Sequence, residues 1–222
     1  MENTLSRRER ERQRRRQSML EAARAVFAEK GYGNATVEEV AHRAEFGKGT
    51  VYNYFEGGKE ELLYAILDEL HDDLCTLIDS AFSPEATEGR PFRDVFLNFI
   101  ETLFINFLER RDVFALMMKE AQQLIFSDDD EKAAYFVRQS NRVVNALVGP
   151  LQKAMDEGKI KPLPPEAVAH TILGNVKGML MHLCVISRSA GPADLPSAHK
   201  SAEFLNVVLL DGLLVHPEPK SR

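Results

Sequence analysis

The chain has 222 residues, is 44% hydrophobic and carries a net charge of −6; this is enough apolar content for one large or two small packed cores and too much for a disordered chain. The charge argues against a polyanionic partner only until it is divided: residues 1–60 hold 12 Lys and Arg against 10 Asp and Glu, while residues 61–222 hold 16 against 24, so a basic end joins an acidic body, and local charge is what meets phosphate. The N-terminus lacks the apolar stretch of a signal peptide, no segment reads as a bilayer span, and Cys75 and Cys184 show no metal spacing, which predicts a soluble cytoplasmic protein with reduced cysteines and no membrane partner, metal or cofactor.

Residues 1–16 carry seven Arg and three Glu and predict a disordered segment or a fraying helix. Two roles fit it: an arm along a DNA backbone or into the minor groove, or a solvated extension with Glu–Arg pairing. An apolar face of Met19, Leu20, Ala23, Val26 and Phe27 predicts a first helix over residues 12–30, ended by Gly31 in a left-handed position. A second helix begins after Thr36, which forms a capping box with Glu39, and repeats Val37, Val40, Ala41 and Ala44 at helical spacing. A third covers residues 48–55, with Val51 and Phe55 inside and Lys48, Thr50, Tyr52, Asn53 and Tyr54 facing outward or to the sides. Cation, hydroxyl, amide and phenol groups on one short helix suit a DNA groove, where Lys and Tyr reach phosphates and Asn and Lys read base edges. On chemistry alone a plain surface helical hairpin fits equally well.

Gly57-Gly58 breaks the chain, and a long helix over residues 59–82 follows, with a stripe of Leu62, Leu63, Ile66, Leu67, Leu70, Leu74 and Ile78. Its length makes it a connector, which sets the expected domains at 1–58 and 59–222. A loop with Pro84, Gly89 and Pro91 leads to helices over 92–109 and 112–126, the latter capped by Asp112. A turn at 127–130 precedes a helix over 131–157 that stops at Gly158. Pro162, Pro164 and Pro165 mark the next loop. Helices over 166–187 and 198–215 are split by Gly191, Pro192 and Pro196, and residues 216–222 read as a frayed tail. No strand-like alternation or internal repeat is present, so the fold is all-α.

The motif made by Phe27, Gly31, Tyr32, Thr36, Val37, Val40, Ala41, Ala44, Lys48, Gly49, Thr50, Val51, Tyr52, Tyr54, Phe55 and Lys59-Glu60-Glu61-Leu62-Leu63 resembles the DNA-binding domain of the TetR family of bacterial transcriptional regulators, over residues 18–65. The resemblance implies an N-terminal three-helix helix-turn-helix domain joined by a long helix to a larger helical domain that binds a small molecule and dimerises. It implies groove and backbone contacts from Lys48, Tyr52, Asn53 and Tyr54. Phosphate contacts fall to Thr36, Thr50 and Lys59, and Gly49 allows close approach to DNA. The chain departs from the family at Glu45, where Gly is usual, and at Gly47, where Ser is usual. Gly47 is expected to absorb the turn but to leave the next helix without a side-chain cap. One extra residue lies in Glu56-Gly57-Gly58.

The second body is then expected to hold an effector pocket lined by Phe99, Leu103, Phe107, Phe114, Met117, Met118 and Phe136, with Gln122, Asn141, Asn175 and His182 as polar anchors. Such a lining suits a hydrophobic or aromatic effector; each residue also reads as ordinary core. A stripe of Ile172, Val176, Met179, Leu180 and Leu183, with Gly174 and Gly178 one turn apart, and a face of Leu205, Val208, Leu209 and Gly212 fit a homodimer interface or, alternatively, intramolecular core. The expected function is a repressor that binds a palindromic double-stranded operator and is released by its effector. A nonspecific DNA binder is the alternative within the same chemistry. A metal-carboxylate enzyme is a third reading, but it needs two Glu-x-x-His pairs, and the chain offers Glu39-Val-Ala-His42 without a second.

Overall fold

The computed structural model describes residues 6–125, 129–189 and 196–213, and among these it forms ten helices and no strand. They are α1 (Arg7–Lys30), α2 (Val37–Arg43), α3 (Lys48–Tyr54), α4 (Lys59–Ala81), α5 (Pro84–Thr87), α6 (Phe92–Glu109), α7 (Arg111–Ile125), α8 (Asp130–Asp156), α9 (Pro165–Ser189) and α10 (Ala198–Leu213). The expected tail at 216–222, the loop positions Gly191 and Pro192, and most of the turn at 127–130 lie outside the described residues.

Helices α7, α8 and α9 start one residue before the expected positions, and two larger differences occur earlier in the chain. α1 begins five residues early, because the Ser6 hydroxyl accepts from the Glu9 N–H at 3.3 Å and the Glu9 carboxylate accepts from the Ser6 N–H at 2.8 Å. That capping box fixes a first turn in a segment that composition alone leaves frayed. The expected loop after α4 contains the short α5, whose Ser83 cap accepts from Ala86 N–H and whose Pro84 sits in the first turn.

The chain divides into two compact units, Met1–Leu70 with Leu116–Gln123, and His71–Ala115 with Leu124–Arg222. The expected boundary at 58/59 is thereby corrected. Leu62, Leu63, Ile66 and Leu67 are at most 1% exposed, so the first three turns of α4 are core of the first unit. Leu116 and Glu120, buried at i, i+4 on α7, belong to that unit as well.

In the first unit, α1 buries Met19, Leu20, Ala23, Val26 and Phe27 and ends at Gly31, whose φ of 74° and N–H bond to Phe27 O at 2.9 Å close the last turn. α2 packs on α1 and α3. Arg43 grips Glu29 through two bonds of 2.6 and 2.7 Å, and Arg24 pairs with Glu69. These ties link α2 and the third turn of α4 to α1.

The second unit is built on the phenylalanines of α6. Phe92, Phe96, Phe99, Phe104 and Phe107 are buried with Val143, Val144, Leu147 and Leu151 of α8 and with the inner faces of α9 and α10. Within it α6 packs chiefly on α10, and α8 on α9. By length and composition alone one segment among the described residues, Pro165–Ile186, passes for a bilayer span, against the expectation that none would. Its Val168, Ala169, Ile172, Val176, Leu180 and Leu183 face the unit's core, while His170, Lys177 and His182 are exposed.

Candidate nucleic-acid interface

The turn between α2 and α3 is set by Glu45. Its φ is 59°, the one positive φ at a described non-glycine residue, and the N–H groups of Glu45 and Phe46 close onto His42 O and Ala41 O at 3.2 and 2.9 Å. Contrary to the expectation from sequence, Gly47 does not absorb the turn; it sits at φ −70°, ψ 146° as the N-cap of α3. Without a side chain it leaves the α3 amides uncapped, as its residue type requires.

α3 buries Val51 and is followed by buried Phe55, and it presents Lys48, Gly49, Tyr52 and Asn53 to solvent. Asn53 makes no hydrogen bond among the described residues, so its amide can donate and accept toward an outside group. Lys48 pairs with Glu38 of α2, which raises the lysine pKa and lowers that of the carboxyl, and its Nζ stands 5.9 Å from the Tyr52 ring centre. A phosphate therefore reaches Lys48 by displacing Glu38. The Tyr52 ring lies against Gly58, where a Cβ would come within 3.1 Å of Cε1; with its φ of 64°, Gly58 is doubly suited to glycine. The extra residue noted after α3 thus helps seat Tyr52. A Cβ at Gly49 would meet nothing within 4 Å, which leaves its backbone open to approach.

Thr50 and Tyr54 are half-buried, and the Arg12 guanidinium stands 5.8 Å from the Tyr54 ring centre. The Thr36 hydroxyl accepts from Glu39 N–H in the α2 capping box and keeps its own O–H for donation. Lys59 is turned away from the role expected of it: its Nζ donates to Tyr32 O at 2.8 Å and Gly33 O at 3.2 Å and lies 4.6 Å from the Tyr32 ring centre. It pins the α1–α2 loop, and its three donors are directed there rather than at solvent. Glu39 is likewise engaged with Thr36 and Lys30, and among the described residues no group of three or more His, Cys, Asp or Glu could hold a metal.

The residues expected to form an effector pocket are divided by the structure. Phe99, Leu103, Phe107 and Phe136 are buried in the second unit, and Phe107 meets half-buried Phe114 edge-on at 4.9 Å. Met118 and Gln122 fall in the first unit, and the Met117 side chain lies outside what is described. The four polar anchors are corrected: Gln122, Asn141, Asn175 and His182 are all exposed, and the Asn175 amide bonds back to Thr171 O at 2.8 Å. The buried polar atoms of the second unit instead include Ser201 Oγ and Asn206 Oδ1 on α10, both without a hydrogen-bond partner among the described residues. Sequence reading missed them; the available signal was two small polar residues on the apolar face of an amphipathic helix.

The expected dimer stripe also needs correction. Ile172, Val176, Leu180, Leu183 and Leu205 are buried in the chain's own core, and Met179 and Leu209 are half-buried against it. Gly174 lies two residues after Ile172, about 200° around the helix, so the glycines occupy the opposite face. There Gly174, Asn175, Gly178 and Met179 of α9 and Phe204 and Leu205 of α10 line an open groove of about 480 Å³. Phe204, Val207 and Val208 are 58, 52 and 54% exposed beside it, and Val185 of α9 is 60% exposed. Gly212 falls in the last turn of α10.

Residues 19–66 match the family described as bacterial regulatory proteins, tetR family. YhgD of Bacillus subtilis, an uncharacterised HTH-type transcriptional regulator, is 30% identical over 164 residues, which cover 72% of this chain and 78% of that protein. YuxN of the same organism, described in the same words, is 32% identical over 123 residues; the match covers 55% of this chain and 40% of YuxN. Among solved structures, the regulator FadR from Bacillus subtilis in complex with stearoyl-CoA superposes with a TM-score of 0.73 at 18% identity, covering 90% of this chain and 99% of that one. Such a likeness shows the fold, while the helix-turn-helix match and the YhgD relationship show the lineage. The chain belongs to the TetR family of bacterial DNA-binding transcriptional regulators.

Proposed function

We propose that the chain is a cytoplasmic homodimeric repressor of a palindromic operator, released by a small and mostly apolar effector. The observation that carries the DNA reading is the α3 surface: Lys48, Tyr52 and Asn53 exposed over buried Val51, with Gly49 open beside them. Asn53 reads a base edge, Lys48 and Tyr52 reach base edges or the backbone, and Thr36, Thr50 and Tyr54 add backbone contacts. Lys59 serves the fold.

The dimer reading is supported by the exposed apolar face of α9 and α10. Phe204, Val207 and Val208 flank a groove whose floor includes Gly174 and Gly178, and a second copy's helices are the occupant that a two-fold operator requires. The effector reading rests on the Phe-rich second unit and on Ser201 Oγ and Asn206 Oδ1, buried polar atoms within it that have no hydrogen-bond partner among the described residues. An apolar body with a hydrogen-bonding group suits them, and the stearoyl-CoA bound by the structurally similar FadR makes acyl thioesters the first class to assay. Linkage makes the coupling reciprocal: an effector that weakens operator binding is itself bound less tightly by the DNA complex.

The test is selection of duplexes from a random pool by the full chain, followed by anisotropy titration of the enriched sequence beside a scrambled one. A regulator gives a specific excess of about 10³-fold or more. Asn53→Ala is expected to relax preference at one position of each half-site by about 1–3 kcal/mol while general affinity persists. Equal binding of every duplex by the parent chain, or unchanged preference in the variant, overturns the assignment of α3.

A further inference from the structure

The first three turns of α1 lie outside the helix-turn-helix motif that carries the family match. Residues 7–16 hold seven Arg against Glu9 and Glu11. The capping box at Ser6 makes this run a helix before any partner arrives. Glu9 is held in that cap, and Glu11 pairs with Arg15 at 3.0 Å. Arg7, Arg8 and Arg14 meet no acidic group among the described residues, and all three are exposed.

The run is also placed beside the recognition helix. Arg12 stands over the Tyr54 ring at 5.8 Å and Arg16 over the Phe55 ring at 5.2 Å. Arg8 lies one turn further on the same face, at i, i+4. The neighbouring face carries an open groove of about 560 Å³ lined by Arg10, Gln13, Arg14, Arg16 and Gln17, side chains that all donate hydrogen bonds.

We infer that residues 7–16 form a preordered phosphate-binding helix that extends each half-site beyond the bases read by α3; the inference rests on the DNA-binding reading above. The helical form decides between the two sites open to such a segment. A helix with its side chains is about 10–12 Å across, and the minor groove of B-DNA is about 6 Å wide, so this element lies along the sugar–phosphate backbone. From Arg16 to Arg7 the helix rises about 14 Å, enough to pass up to about four base pairs of flanking duplex. Being already folded, it loses little further chain entropy on binding, unlike a disordered arm. Its contacts are sequence-independent.

The experiment compares the full chain with the triple variant Arg7→Gln/Arg8→Gln/Arg14→Gln, which touches no residue packed on α3. Both are titrated onto the duplex that the parent enriches from a random pool, once with long flanks and once trimmed to the enriched bases, between about 0.05 and 0.2 M salt. The expected result on the flanked duplex is a log–log salt slope shallower by roughly 2–3 units per bound protomer, with base preference unchanged. Trimming is expected to weaken the parent more than the variant, with circular dichroism matching between the two proteins. An unchanged slope together with equal sensitivity to trimming overturns the phosphate helix while leaving α3 as the reader. Loss of preference for the enriched sequence by the parent itself overturns both readings.

Discussion

Glu45 holds a left-handed backbone at φ 59° where an L side chain is disfavoured by about 1–2 kcal/mol, and the α2–α3 turn keeps it there through the bonds of Glu45 and Phe46 N–H to His42 and Ala41. Glu45→Gly removes that strain but loosens the unfolded chain, so the expected net gain is about 0.5–1 kcal/mol, read as a raised denaturation midpoint at unchanged m-value. A lower midpoint would mean that the Glu side chain makes a compensating contact. The motif located this turn to within two residues, yet residue type pointed to Gly47 for the positive φ and the structure puts it at Glu45, because glycine is the usual occupant of such a backbone but not the only possible one. The partners of the cations were equally hidden. Lys48 and Lys59 look alike in the sequence, but Lys48 lies across an exposed pair with Glu38 that phosphate can replace, whereas Lys59 is held by two carbonyls. Only the three-dimensional position of Tyr32 and Gly33 separates them.

Among the elements, the legible ones ended at glycines with positive φ, Gly31 and Gly158, because a backbone of that kind favours glycine. What the pattern could not resolve was orientation when both sides of a helix are apolar or small. On α9 the Ile172 stripe and the Gly174–Gly178 side both resemble interface, and packing within the chain takes the larger side chains first, since they remove more apolar surface from water. α7 hides a similar choice. Glu120 is 4% exposed, and burial lifts its carboxyl above the ordinary value against the opposing pull of Lys119 and Lys59. Below the unfolded chain's carboxyl pKa both states are protonated and no stability is lost. As pH rises through the folded value the unfolded chain has already ionised, so stability falls. Glu120→Gln is therefore expected to melt above the parent at pH 7, with the gap closing toward about pH 4. A gap that stays constant over that range would show that the carboxyl is not the titrating cause.

At the scale of the whole molecule, the chain alternates between its two units: α4 passes from the first to the second after Leu70, and α7 enters the first after Ala115 and leaves it after Gln123. The covalent connections between the units are these three crossings, on two helices. A repressor of a two-fold operator also needs two copies, with recognition helices about 34 Å apart, and α9 and α10 carry Val185, Phe204, Val207 and Val208 among the large apolar side chains left exposed in the described residues. Phe204 and Val208 are 58 and 54% exposed, so charging them costs the isolated chain little, whereas a carboxylate facing its own copy across a two-fold axis is desolvated beside a like charge. Phe204→Asp/Val208→Asp is thus expected to keep the parent's helical circular dichroism while its mass in sedimentation equilibrium falls from twice the chain mass to 25.0 kDa. Binding to a single half-site should persist in the variant, and the extra affinity for the full palindrome should vanish with the second recognition helix. A variant that remains dimeric would move the interface elsewhere, and a parent that is monomeric even on the palindrome would remove the dimer from the mechanism.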